Sequence, residues 1–190
     1  MVTLVFLAII LFSLAKFLPL NETRPGFSMD DPLLSLFNPV NVTWLTFSLI
    51  YLALLIALFS LSFHPVEMLL ALQSYTVIGM LRLITIFFLP LNAPQAIIPL
   101  KDPFVEFFGG GSTLLRDLFF SGHTSTMFLF FLTCPTRKLR WVYLICTILV
   151  AVCVLLQHVH YTIDVVAAPV FAYTGYRISL IVDQRLKNLR

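Results

Sequence analysis

Long apolar runs alternate with short polar breaks along this chain, and each run is close to the length of a membrane span. A spanning helix needs about 20 mostly apolar residues. Six runs approach that length: 1–18, 42–63, 66–89, 118–133, 141–156 and 162–182. The breaks carry residues that end helices. His64-Pro65 makes a tight turn, Pro90 stops the third run, and Cys134-Pro135 stops the fourth. The first run has neither a basic n-region nor a small-residue cleavage site, so it predicts an uncleaved span with Lys16 free to snorkel. The polar stretch 19–41 holds four prolines, with Leu33, Leu34, Leu36 and Phe37 predicting a short interfacial helix. K-D-P and G-G-G in the loop 91–116 break any regular element there. No internal repeat and no soluble domain is visible. The pattern predicts one integral membrane domain, 1–190, built as an all-α bundle of six transmembrane helices.

Composition strengthens this reading. Hydrophobic residues make up 59% of the chain and charged ones 11%, with a mean hydropathy of +0.97. An ordinary soluble domain is about 25% charged, and a core this small cannot bury so much apolar side chain, so lipid must solvate the surplus. A net charge of +3 without a basic run gives no basis for nucleic-acid binding. Cys134, Cys146 and Cys153 lie within or at the ends of apolar runs without C-x-x-C spacing, as packing or lipid-facing residues would. Charge also predicts orientation. The turn with Arg137, Lys138 and Arg140 and the tail with Arg185, Lys187 and Arg190 fall on one side of six spans, which the positive-inside rule makes cytoplasmic. Both termini are then cytoplasmic, and the loops 19–41, 91–117 and 157–161 share the exoplasmic face.

That topology brings two titratable motifs together. D-L-F-F-S-G-H-T (117–124) places His123 about one turn into the fourth span from the exoplasmic face. H-Y-T-I-D (160–164) puts His160 and Asp164 at the junction to the sixth span, at the same depth. A single interfacial histidine reads as an anchor, but ionisable groups gathered at one membrane depth read as a site. His160 and Asp164 are spaced i,i+4 and share a face if the helix is continuous there. A carboxylate on one imidazole nitrogen fixes the tautomer and raises the basicity of the other, which suits a nucleophile or a metal ligand. His123 can then give or take a proton. No H-E-x-x-H and no third strong ligand at standard spacing accompanies them, so phosphoryl transfer through a phosphohistidine is expected in place of metal chemistry.

These residues carry a resemblance. S-G-H-T (121–124) preceded by Asp117, together with L-L-Q-H-V-H-Y-T-I-D (155–164), resembles the sphingomyelin synthases, in the wider type-2 phosphatidic acid phosphatase superfamily. Gly109–Gly111 before the first motif and R-L-I-T (82–85) in the third span extend the likeness over roughly 82–177. The resemblance implies a six-helix bundle that moves a phosphocholine- or phosphoethanolamine-type headgroup from a glycerophospholipid to ceramide or another lipid alcohol, with no cofactor and no metal. It implies that His160 attacks phosphorus, Asp164 orients it, and His123 carries the proton. Asp117 would hold His123 or the headgroup, Arg82 would pair with phosphate or with an acid of the site, and Gly122 would permit close approach. Ser121 and Tyr161 fall within the same substrate-binding motifs.

Departures from the pattern bear on the reaction. Val154 stands where the phosphatase branch carries an arginine six residues before the nucleophile, and its K-x6-R-P signature is absent. Such cations clamp a phosphate monoester dianion, so their absence favours a phosphodiester and headgroup transfer. Val159 replaces an acid found between the two histidines of the animal enzymes, which leaves the headgroup open. A phosphatase or phospholipase C-like hydrolase is the alternative, since water can open the same intermediate. A non-catalytic lipid-binding scaffold is the third reading, disfavoured by the presence of His123, His160 and Asp164 together. Lesser expectations are cation–π contacts from Phe27, Trp44, Tyr75 and Tyr161, headgroup contacts from Asp30, Asp31 or Glu106, an interfacial His158, and glycosylation sequons at Asn21 and Asn41.

Overall fold

The computed structural model describes residues 2–100 and 114–188, with side chains to 185. Among the described residues six α-helices form: α1 (Val2–Thr23), α2 (Thr43–Ser62), α3 (Pro65–Phe88), α4 (Gly122–Thr133), α5 (Arg137–Leu156) and α6 (Thr162–Asn188). The described residues contain no strand, only an isolated bridge between Phe27 and Leu91. All helices except α4 are long and apolar enough to cross a membrane. Their outer faces stay exposed and apolar, as with Trp44 at 86% exposure. These are surfaces for lipid rather than water.

α4 differs from the expected fourth span. Its 12 residues rise about 18 Å, against a hydrocarbon core of about 30 Å. The expected helix start at Leu118 moves to Gly122 because the preceding backbone is held by tertiary bonds. Ser121 N–H donates to the Asp164 carbonyl at 3.1 Å, and the Phe120 carbonyl accepts from Arg82 at 3.1 Å. Phe119 takes a φ of 94°, which breaks helical continuity. Ser121 then caps the helix, its Oγ accepting from Thr124 N–H at 3.3 Å.

Helix α4 packs against α5, α6, α3 and α2 and sits at the centre of the bundle, while α1 packs on α3. Met127, Phe130, Val150, Val154, Ile50 and Ala57 form the core between α2, α4 and α5. On the other side Ile78, Phe120, Leu129, Ala168 and Ala172 join α3, α4 and α6. α3 and α6 approach closely at Gly175, where a Cβ would lie 2.7 Å from Ile78 Cγ1. The predicted interfacial helix is a single 3₁₀ turn, Leu34–Leu36.

α1 continues through Pro19 beyond the expected end at residue 18. Its last turn meets the segment entering the 117–124 motif. Asn21 is 1% exposed and its Nδ2 donates to the Arg116 carbonyl at 2.9 Å. The Glu22 carboxylate accepts from Leu115 N–H at 2.9 Å and Arg116 N–H at 2.7 Å. Arg116 answers with donation to the carbonyls of Glu22 and Arg24 and to Asn92. The Asn21 sequon is therefore corrected: the amide that glycosylation requires is buried and bonded.

Candidate functional site

The loops that hydropathy assigned to one face do meet there. Phe27 N–H donates to the Pro90 carbonyl at 3.1 Å, and Asn92 N–H donates to the Phe27 carbonyl at 2.9 Å. Tyr161 closes the triangle, its hydroxyl accepting from Met29 N–H at 3.3 Å and donating to the Asn92 carbonyl at 3.1 Å. Segments 24–31, 89–98 and 157–162 thus form one polar cap over the α5–α6 junction.

Beneath it lies the His160–Asp164 pair. The α5 C-terminus closes in a Schellman arrangement, with Val159 N–H to the Val154 carbonyl and His158 N–H to the Leu155 carbonyl, both 2.9 Å. His158 takes the left-handed position with φ 55°. Its ring turns away from the site, with Nδ1 3.2 Å from the Gln95 carbonyl and its edge on Phe37. The chain then reverses so that His160 precedes the first turn of α6. His160 Nδ1 lies 3.2 Å from Asp164 Oδ2, with the residues only 3% and 0% exposed. The same oxygen accepts from Tyr161 N–H at 3.1 Å, while Oδ1 is buried with no hydrogen-bond partner among the described residues. The carboxylate thus holds the His160 ring through Nδ1 and leaves Nε2 as the nitrogen for chemistry.

The start of α6 has a cap that sequence reading missed. Asp31 Oδ2 accepts from Thr162 N–H at 2.6 Å and Oδ1 from Thr162 Oγ1 at 2.9 Å. Oδ1 also accepts from Leu33 and Leu34 N–H. Burial pushes the Asp31 carboxyl up, but these bonds, led by the Thr162 amide, hold it below the usual carboxylate value. Asp31 is therefore engaged as a helix cap, not held free for a headgroup. The one available signal was an acid-proline turn, D-D-P, in a loop on the α6 side of the bundle.

The second motif is held by Arg82. Its Nε donates to Asp117 Oδ1 at 3.0 Å and its Nη2 lies 2.6 Å from Oδ2, a two-point ion pair. Nη1 donates to the Phe120 carbonyl, and the guanidinium lies over the Phe120 ring. Of the two pairings expected for Arg82, phosphate or acid, the structure has the acid. Burial pushes Asp117 up, yet Arg82 and the nearby His160 and His123 bring it below its usual value, so both histidines lie within electrostatic reach of this carboxylate. A Cβ at Gly122 would stand 2.3 Å from Arg82 Nη1, so any larger residue has to displace the guanidinium. The group that approaches Gly122 closely is the Arg82 guanidinium, where approach beside the nucleophile was expected.

His123 follows on the first turn of α4, partly exposed, and lines a cavity of about 510 Å³ between α1, α2, α3 and α4. Arg82, Asp117 and Gly122 line the same end, and Tyr75 lines its wall. Ser121 and Tyr161 are buried, the first as cap and the second as loop tie, and Trp44 points outward. Asn41 is exposed and accepts from Thr43 N–H. Glu106 and Gly109–Gly111 lie outside the described residues.

A comparison with protein families falls on this region. Residues 116–179 match the family described as PAP2 superfamily C-terminal. Human phosphatidylcholine:ceramide cholinephosphotransferase 2 is 43% identical over 65 residues, 31% of this chain and 18% of the relative. The protein of that name from Macaca fascicularis is 42% identical over 65 residues, and that from Rattus norvegicus 38%, with the same coverage. The match therefore spans less than a fifth of these relatives' length. No solved structure matches the chain. Both histidine motifs lie inside the family match, so the part of this membrane bundle that carries His123, His160 and Asp164 is similar to the C-terminal part of the PAP2 superfamily, and about a third of the chain is similar to cholinephosphotransferases.

Proposed function

We propose that the chain is a PAP2-type lipid phosphotransferase. It moves a phosphocholine- or phosphoethanolamine-type headgroup from a glycerophospholipid to ceramide or another lipid alcohol. His160 Nε2 attacks phosphorus, the bond from phosphorus to the diacylglycerol oxygen breaks, and His123 gives that oxygen its proton. The acceptor hydroxyl then attacks the phosphohistidine, its proton passes to His123, and the P–N bond breaks. Asp164 stabilises the imidazolium through the step. No part of this sequence calls for a cofactor.

The observation that carries the reading is the bond from Ser121 N–H to the Asp164 carbonyl, which joins the two histidine motifs at the head of an apolar cavity. Burial of Val154 in the core adds support, because no cation stands at that position to clamp a monoester dianion. With the short α4 counted as a crossing, as the sequence pattern counts it, the positive-inside rule puts both termini in the cytoplasm and the site on the exoplasmic side. A cysteine at exposed Ser28 that an impermeant thiol reagent labels only after lysis would reverse that orientation.

The function is tested by incubating purified protein with headgroup-labelled phosphatidylcholine or phosphatidylethanolamine, with and without ceramide. Label entering a new lipid supports transfer. Label released only as free phosphoester establishes the hydrolase reading, in which water opens the intermediate. Unchanged lipid in every arm removes both.

A further inference from the structure

The cavity is long as well as apolar. It follows α3 from Arg82 down to Met68, fourteen residues or about 21 Å of helix. The hydrocarbon of one leaflet is about 15 Å, half of a core of about 30 Å. Apart from the polar end at Arg82, Asp117 and His123, its lining is almost wholly apolar, with Leu54, Ala57, Leu61, Met68 and Ala71 along its depth. Leu11 of α1 and Leu58 of α2 line its edge and are themselves exposed. α1 rests on α3 and α2 on α5, so the cavity has its opening toward the bilayer between α1 and α2.

Among the described residues the lining includes His123 but not His160. In-line displacement at phosphorus puts the nucleophile and the departing oxygen on opposite sides. On the reading proposed above, the P–N bond forms at His160 while the P–O bond breaks on the side of His123, which protonates the oxygen released. The departing diacylglycerol must then lie on the cavity side. In the second half, the acceptor hydroxyl must deliver its proton to the same His123 and attack from the same side. We infer that the cavity is one hydrocarbon channel used in turn by donor and acceptor lipid, entered between α1 and α2 and ended by Leu61 and Met68. Diacylglycerol has to leave before acceptor enters, and chain length governs both half-reactions alike.

Photolabelling tests this without requiring turnover. A phosphatidylcholine and a ceramide, each with a diazirine at the chain terminus, are cross-linked to the full chain in vesicles and the labelled peptides mapped. Both probes should label the Leu61–Met68 region, and tenfold excess unlabelled ceramide should suppress phosphatidylcholine labelling there at least fivefold. Labels on separate surfaces, or labelling that does not compete, overturns the shared channel. Ala71→Phe should lower long-chain donor and acceptor turnover together by at least tenfold and spare a dihexanoyl donor; loss confined to one lipid overturns the proposal. Leu61→Ala, which lengthens the cavity, should shift the preferred chain of both lipids upward, and no shift counts against it. Shared labelling without any transfer would defeat the proposed function and leave the channel. Transfer with separated labels would do the reverse.

Discussion

The two histidines of the site are held in opposite ways. His160 is almost wholly buried, tied through Nδ1 to a buried carboxylate, on a turn fixed by Tyr161 and Asp31. His123 is partly exposed, on a short helix entered through a glycine, and faces an apolar cavity. A nucleophile that must return to one position gains from immobility, since small misplacements of a reacting group cost large factors in rate. A proton carrier that serves two different lipid oxygens needs an open side. The contrast fits the roles proposed for the two histidines.

The largest expected effect breaks that contrast at its root. His160→Ala should reduce turnover by more than about 10⁴-fold, as for removal of a nucleophile. His123→Ala should cost about 10²–10⁴-fold, the usual contribution of general acid–base catalysis. The two are separated by p-nitrophenyl phosphocholine, whose leaving group needs no proton. The His123→Ala enzyme should recover a burst of nitrophenol with this donor, and the His160→Ala enzyme should not. A burst from His160→Ala would move the nucleophile elsewhere.

A smaller effect probes how the open half is positioned. Gly122→Ala places a Cβ where Arg82 Nη1 now lies, against a guanidinium held by Asp117 and the Phe120 carbonyl. Alanine is the better helix former by about 1 kcal/mol, so the thermal midpoint in detergent should fall by only a few degrees. Displacing the Arg82–Asp117 pair shifts the start of α4 and with it His123. We expect kcat to drop about 10–100-fold with KM for the donor nearly unchanged. A raised KM with unchanged kcat would show that Gly122 acts on substrate binding instead.

How far the sequence anticipated this site depends on the range of the interaction. Helix positions followed from hydropathy, because a run of apolar side chains in lipid satisfies its own backbone only as a helix. The pairing of His160 with Asp164 was legible in their spacing, although His160 reaches Asp164 from the turn before α6 and not from a shared helix face, and the meeting of the two motifs followed from span counting. The late start of α4 did not, because residues 117–121 are held by partners about 40 residues away on α3 and α6. Asn21 likewise looked like a solvent-facing sequon, yet its partner is the backbone of Arg116, 95 residues on. Asp31 and Tyr161 read as headgroup contacts, but their polar atoms bind loop backbone that local pattern cannot place.

The smallest expected effect concerns the rigid half and its cap. Removing a helix cap costs about 0.5–2 kcal/mol, so Asp31→Ala should lower the thermal midpoint by several degrees. It should lower kcat about tenfold, because the turn that carries His160 and Asp164 loses its outer anchor. The pH dependence distinguishes a cap from a headgroup ligand. The Asp31 carboxyl is held below its usual 3.8 in the folded chain. Its contribution to stability is then present above that value and lost as the pH falls through the lower folded value. As the pH falls through 3.8 and on through the lower folded value, the wild-type midpoint should therefore drop more steeply than that of Asp31→Ala, until the two converge. Parallel curves, with the variant altered only in its KM for choline-bearing donors, would make Asp31 a substrate contact and leave the α6 turn to hold itself.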